Sequence, residues 1–305
     1  MASLPSSFAN EKDLKFVITL VTPGATFSGT GDNTIILRGL RASVTVDNAG
    51  DAAIMGRLHA QIFGLTASDA NSMTSVLWNV PVTGENTIQV YAIDGQQETL
   101  VFLGQILQCW GVYESMPESY VMIEACAGYN KLVQSAPPTS VQADTTVATI
   151  MQQLASQMGF QFDNSAGVNI TVKKGTYLGG TAMEQVRNLA RAYRFWVYLD
   201  NTSPNTLAIT PYGKGRQLQV VPVISPETGM IGYPAFNGSG VTLSTLFNPG
   251  IVFGANISVK SAIPKANGTW TVVSMTHNLT SQMPGGPWRT DLQATSATLY
   301  QQVQP

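Results

Sequence analysis

Charge is what this chain has least of. Asp, Glu, Lys and Arg make up 11% of its 305 residues, less than half the roughly 25% usual in soluble domains. Ser, Thr, Asn and Gln carry the polar surface instead. Lys and Glu are depleted where proteins meet proteins, so a surface this poor in them points to extensive coverage by partners. Histidine is as scarce, with His59 and His277 alone, and so is cysteine, with Cys109 and Cys126. Neither cysteine spacing nor histidine placement makes a zinc or CxxC pattern. Each cysteine lies in a strand-like apolar run, which predicts two buried free thiols from a reducing compartment. No apolar run nears the roughly 20 residues of a membrane-spanning helix. The opening MASLPSSFANEKD has neither a basic region nor an apolar core of the kind a secretion signal needs, so the six N-x-[ST] sequons read as by-products of Asn and Thr richness.

The charges that exist are unevenly divided. Residues 1–140 hold 6 Lys/Arg against 12 Asp/Glu, a net of −6, and residues 141–305 hold 10 against 6, a net of +4. No segment is basic enough for a nucleic-acid-binding stripe. An acidic half joined to a basic half could let identical subunits dock by complementarity.

Apolar content is 44%, enough for real cores, and its periodicity divides the chain. Runs of period two or rich in β-branched residues lie at 15–21, 34–47, 56–65, 86–94, 99–110 and 119–127, and read as strands. Turn signals at Pro23-Gly24, Asn48-Ala49-Gly50 and Asp94-Gly95 separate them. One helix interrupts at 66–78, with its N-cap near Ser68 or Asp69. After the proline-containing linker 134–145 the period becomes helical. Val147, Ile150, Met151, Leu154 and Met158 share one face, closed by Gly159. Thr181 and Glu184 then have capping-box spacing, with Met183, Val186, Ala190 and Tyr193 turned inward. A strand at 168–174 lies between these helices, and FWVYLD and TLAITPY form a hairpin around NTSPN. From Gly213 strands return, at QLQVVPVI, GVTLSTLF, ANISVKS, TWTVVSMTHNL and RTDLQATSATLY. The fold class expected is mainly β with an α+β insert. The expected boundaries are a β domain at 1–112, a connecting strand and linker at 113–139 that could join the later β domain, a small two-helix α+β domain at 140–212, and a second β domain at 213–305.

Chemistry is hard to find. GxSxG, HExxH, the EF-hand loop and GxGxxG are all missing, and Gly213-Lys214 fails as a P-loop, with Ala208 and Gly215 at its key positions. A Ser–His–Asp site would need His277, which lies in a strand pattern. A carboxylate pair would need Glu114, Glu118 or Glu124, two of which flank Met116-Pro117 in a loop-like stretch. Trp196, Trp270 and Trp288 could stack on sugars or bases, but lone tryptophans in strands usually anchor cores. No catalytic residue, metal ligand or cofactor site is expected.

One stretch is distinctive. GVTLSTLFNPGIVFGANISVKS, with Phe247, Asn248, Pro249, Gly250 and Gly254, is followed by a W-x-V-x-x-M-x-H-x-L strand from Trp270 through His277 to Leu279. A loop with Gly285, Gly286 and Trp288 comes next. Together with LRASVTVDNAGDAAIMGRLHAQIFGL, TTVATIMQQLASQMGF and SPETGMIGYPAFNGSGV, it resembles the baseplate hub proteins of contractile-tailed bacteriophages, the late-control-D-type hubs related to the N-terminal part of type VI secretion spike proteins. The resemblance implies two tail-tube-like β-barrels plus the small two-helix domain, and a homotrimer joining the sixfold tail tube protein to the threefold central spike protein. Other baseplate proteins would surround it, genome DNA would pass through its lumen without specific binding, and no membrane anchor is implied. It would be a non-enzymatic virion protein made in the host bacterial cytoplasm. The rival readings are a tail-associated cell-wall hydrolase and a peripheral receptor-binding module.

Overall fold

The computed structural model describes residues 10–21, 24–27, 30–49, 56–74, 86–114, 118–129, 135–200, 205–238 and 240–296. Pro23, Gly50, Met116, Pro117, most of NTSPN and the ends of the 66–78 and 289–300 runs lie outside them. The protein is mainly β, with 51% of residues in strands and three helices among the described residues. It divides into two compact units, one of residues 1–47, 56–129 and 276–290, the other of 48–55, 130–275 and 291–305.

The first unit is an antiparallel meander with one long return. Its strands are β1 (Lys12–Thr19), β2 (Thr34–Arg38), β3 (Ala42–Ala49), β4 (Arg57–Phe63), β5 (Thr87–Asp94), β6 (Gln97–Val112) and β7 (Tyr120–Cys126). They lie in the order β3-β4-β7-β6-β5-β1-β2. Strict alternation builds the core: Leu14, Phe16 and Ile18 of β1, Val44 and Val46 of β3, and Leu58 and Ile62 of β4 are all buried. Each such side chain contributes roughly 1.5–3 kcal/mol by leaving water. Gly39, at φ +68°, turns the chain between β2 and β3, so the single run expected at 34–47 is two strands. Register shifts after Val90 and Ile106 bend the sixteen-residue β6, as bulges do. Helix α1 (Ala67–Met73) packs on β6. Its N-cap is Thr66, whose hydroxyl accepts from the Asp69 amide at 3.1 Å, so the cap lies two to three residues before the expected Ser68 or Asp69.

Beside β3 runs the C-terminal part of β19 (Gly268–Ser281). Three side-chain bonds pin that register: Thr276 Oγ1 donates to Asp47 Oδ1 at 2.7 Å, Thr45 Oγ1 to Asn278 Oδ1 at 3.2 Å, and Ser281 Oγ to the Leu40 carbonyl at 2.6 Å. Two expectations about boundaries change. The strand at 119–127 is β7, hydrogen-bonded between β4 and β6, so it belongs with the first β unit and not with the later one. Residues 276–290 also belong with the first unit, because their pairing partner is β3.

In the second unit, α2 (Val147–Met158) buries the five predicted apolar residues and ends on Gly159 at φ +72°. Helix α3 (Ala182–Tyr193) carries the Thr181–Glu184 capping box, with both reciprocal bonds made. Met183, Val186 and Ala190 face inward as predicted, but Leu189 takes the buried place expected of Tyr193, which is half-buried. The helices accompany a three-stranded sheet of β10 (Gln161–Asp163), β14 (Thr206–Pro211) and β13 (Phe195–Asp200), in that order. The later strands are β15 (Val223–Ile224), β16 (Met230–Asn237), β17 (Gly240–Leu246), β18 (Asn256–Val259), the start of β19 and the end of β20 (Trp288–Thr295). Four more strands of the insert are two residues each, β8 (Thr139–Ser140), β9 (Thr145–Thr146), β11 (Thr171–Val172) and β12 (Tyr177–Leu178), so the run expected at 168–174 shrinks to β11 and that at 217–224 to β15. Tyr198 and Ala208 of the insert share one apolar core with Ile224, Phe253, Ile257, Trp270 and Leu292. The insert and the strands after 213 are therefore one packed body where the sequence pattern separates two.

Candidate functional site

The distinctive stretch begins where β17 ends. Phe247 is half-buried, and Asn248 organises the turn after it. Its side-chain oxygen accepts from the Gly250 amide at 2.8 Å and its carbonyl from the Ile251 amide at 3.1 Å. Pro249 and Gly250 form the exposed tip, the chemistry a tight turn wants. The turn drops Ile251 and Phe253 into the core. Gly254 follows at φ +78°, and a Cβ there would come within 2.5 Å of the Tyr198 ring. Its amide donates to the Val272 carbonyl at 3.1 Å and its carbonyl accepts from the Arg216 amide at 2.8 Å. Tyr198 meets Phe253 edge-on, with centroids 5.3 Å apart.

Arg216 is the residue that sequence reasoning missed. It is 7% exposed, and its guanidinium bonds Asp163 at 2.9 Å, Asp200 at 3.0 Å and the Phe253 carbonyl at 3.2 Å. The ends of β10 and β13 supply the carboxylates and the Asn248–Gly254 segment supplies the carbonyl, so one side chain ties the insert to the motif. Burial raises the affinity of Asp163 for its proton, but hydrogen bonds from the Ser165 amide and hydroxyl and from Arg216 outweigh it and hold the carboxyl below its usual range. No sequence signal marks three residues so far apart in the chain.

The second half of the motif spans β19 and β20. Trp270 is buried and donates its indole N–H to the Ala266 carbonyl at 2.8 Å. His277 is 6% exposed, and its Nδ1 lies 2.8 Å from the hydroxyl of Thr290. Gly285 takes φ +72°, and Gly286 lies where a Cβ would collide with the Thr280 hydroxyl. That hydroxyl donates to the Pro287 carbonyl at 3.0 Å. Trp288 lines an open depression with Glu11, Lys12 and Gln282. The motif residues thus fall into two groups, Phe247–Gly254 with Trp270 in the second unit and His277–Trp288 in the first. In both, the chemistry is that of turns and cores.

Glu118 pairs with Arg41 at 3.0 Å and Glu124 with His59 at 3.5 Å, both at the surface, and Glu114 is exposed. Among the described residues no group of three or more His, Cys, Asp or Glu could hold a metal ion. Cys109 and Cys126 are buried thiols outside any disulfide. Burial pushes the Cys109 thiol up to about 12, and it raises Cys126 against the pull of Arg57. No helix among the described residues is long and apolar enough to cross a membrane.

Known proteins share this architecture. The chain is similar in fold to the tail protein from Neisseria meningitidis MC58, with a TM-score of 0.61 and 10% identity over 94% of this chain and 98% of that one. It is similar to the 43 kDa tail protein of prophage MuSo2 from Shewanella oneidensis, with a TM-score of 0.58 and 11% identity over 95% and 98%. It also resembles the Escherichia coli c3393 protein, a component of the type VI secretion system described as structurally similar to the bacteriophage T4 tail proteins gp27 and gp5. There the TM-score is 0.55, with 9% identity over 84% and 73%. No curated protein sequence matches significantly. The sequence profile described as baseplate hub gp41 matches residues 33–284, a span that runs from β2 through β19 and ends just before Gly285 and Gly286. On that match this chain is a structural protein of the phage tail baseplate and belongs to the baseplate hub gp41 family.

Proposed function

We propose that the protein is the central hub of its baseplate and works without catalysis. Three copies close into a ring, whose tube-like β units meet the sixfold tail tube on one face and the threefold spike on the other, so that one symmetry is adapted to another. Each β unit forms a tube-like barrel in that ring. Family membership across residues 33–284 carries this reading. The presence of two β-rich units in one chain supports it, since three copies then supply six. The charge-poor surface suits a protein enclosed by partners. The first unit holds 6 Lys/Arg against 11 Asp/Glu, a net of −5, and a lumen of that sign lets DNA slide without adhering. The protein assembles in the bacterial cytoplasm and ends in the virion.

Cryo-electron microscopy of the tailed particle tests this directly. The chain is expected on the tail axis, in three copies, between tube and spike; density off the axis refutes the hub assignment. A turbidity assay on peptidoglycan tests the absence of catalysis. Lysis that disappears on Glu118→Gln or His277→Gln would restore the hydrolase reading.

A further inference from the structure

Of the three tryptophans considered for stacking on sugars or bases, two are engaged in packing. Trp270 is buried with its indole N–H on the Ala266 carbonyl, and Trp196 packs against the same apolar core. Trp288 is half-buried and lines an open depression of about 440 Å³ in the first unit, together with Glu11, Lys12, Gln282, Met283 and Pro284. That volume lies within the roughly 300–1,000 Å³ of small-molecule sites. The loop between β19 and β20 forms one wall, and it is firmly held. Gln282 takes φ +51°, a left-handed conformation that a residue with a side chain keeps only where its surroundings enforce it. The Gly286 amide donates to the Met283 carbonyl at 3.0 Å, and Thr280 Oγ1 to the Pro287 carbonyl at 3.0 Å. The braced backbone sets the exposed Gln282 side chain beside a carboxylate, with its Nε2 3.5 Å from Glu11 Oε1.

Glu11 and Lys12 put one charge of each sign on the lining, and Asp94 holds the Lys12 ammonium at 2.5 Å. Neither a strongly anionic nor a strongly cationic ligand finds a complementary surface there. A ligand without net charge and rich in hydroxyl groups does, because the Glu11 carboxylate accepts hydrogen bonds and the Gln282 amide both donates and accepts them. Trp288 and Met283 add apolar surface, and the electron-rich face of an indole attracts the polarised C–H groups of a pyranose. We propose that this depression binds a neutral sugar ring, with Glu11 and Gln282 on neighbouring hydroxyls and Trp288 against the ring. Among the described residues its lining holds one carboxylate, whereas glycoside hydrolysis ordinarily uses two, so the site holds a sugar without cleaving it. It does not depend on the trimeric reading, since every lining residue lies in one unit of one chain.

The test titrates the full chain with glucose, galactose and N-acetylglucosamine, read by saturation-transfer NMR and tryptophan fluorescence. At least one of the three should bind with a Kd of about 1–10 mM, the strength of a few hydrogen bonds and one stacking contact. Glu11→Ala should weaken that binding about tenfold, the loss expected for hydrogen bonds to a charged group. Gln282→Gly should weaken it as well while leaving the fold intact, because glycine adopts the left-handed conformation without strain. Trp288→Phe should abolish the fluorescence change. Unchanged circular dichroism and melting confirm folding, and the two exposed positions carry the test if Trp288→Phe unfolds. Absence of binding by all three sugars at about 50 mM, well above the expected Kd, overturns the proposal. Binding that Glu11→Ala and Gln282→Gly leave unchanged overturns the site. Glutamate and arginine amide serve as charged probes, and tighter binding of either than of every sugar overturns the ligand class.

Discussion

Replacing Arg216 with Met would remove the one cation that joins Asp163, Asp200 and the Phe253 carbonyl while keeping most of the side chain's volume. The Arg216 side chain is 9% exposed, and the two carboxylates 14% and 22%. Losing one partner of a buried ion pair costs about 3–5 kcal/mol, because the remaining charge stays desolvated. Both carboxylates keep some water, and Asp163 keeps its bond from the Ser165 amide at 2.8 Å, so the low end, about 3 kcal/mol, applies. With a urea m-value of about 2–3 kcal/mol/M, the unfolding midpoint followed by tryptophan fluorescence should fall by about 1–1.5 M. Lys at this position should rescue little, since an ammonium cannot span both carboxylates as a guanidinium fork does. The triple variant Arg216→Met/Asp163→Asn/Asp200→Asn should recover more than half of the loss, because no charge is then left without its counterion. A single-variant loss below about 1 kcal/mol, or a triple variant no better than the single, would refute the reasoning.

Acid should act at the same place. The carboxyl of Asp163 is held below its usual value, so its contribution is complete above the unfolded-state pKa near 4 and is lost as pH falls through the lower folded value. Asp163→Asn should flatten that acid limb in urea midpoints measured between about pH 5 and 2. Gly254→Ala forces a side chain into the left-handed region, at about 1–2 kcal/mol, and into the Tyr198 ring. A drop in Tm of about 5–10 °C by calorimetry is expected. Cys109 and Cys126 should resist a disulfide reagent at pH 8 in the folded protein and react once it is unfolded in urea; prompt labelling of both in the native state would contradict their burial.

Much of this fold was legible because its signals are local. The stripe from Val147 to Met158, the glycine closing it, and the Thr181–Glu184 box each involve residues within one helix. Alternation in β1, β3 and β4 likewise needs only neighbours. The failures have a common cause in long-range pairing. β7 looks equally suited to either β unit until its ladders to β4 and β6 are known. β16 does not read as a strand, because Gly232 and Pro234 break its pattern and Ile231, Tyr233 and Phe236 are exposed. The candidate site follows the same rule. Asn248-Pro249-Gly250 announces a turn by composition, but Arg216 looks like any basic residue after a glycine. Only the fold brings Asp163, 53 positions away, to its guanidinium. His277 drew attention by scarcity, although burial beside Thr290 makes it a packed strand residue.

The bonds from Thr45 to Asn278 and from Asp47 to Thr276 join residues 233 and 229 positions apart. During synthesis, β3 is therefore made long before β19, the strand that will cover its flank. The insert of α2, α3 and their three-stranded sheet closes over short distances and can form early, since nearby contacts require little loop closure. The first unit has to wait, with an open apolar edge at β3 that invites wrong pairing in the meantime. A chain terminated before residue 276 would lack that covering strand. Completion of the first unit thus reports that synthesis has passed β19, and prematurely terminated chains should be recognised as unfolded before any could enter a particle.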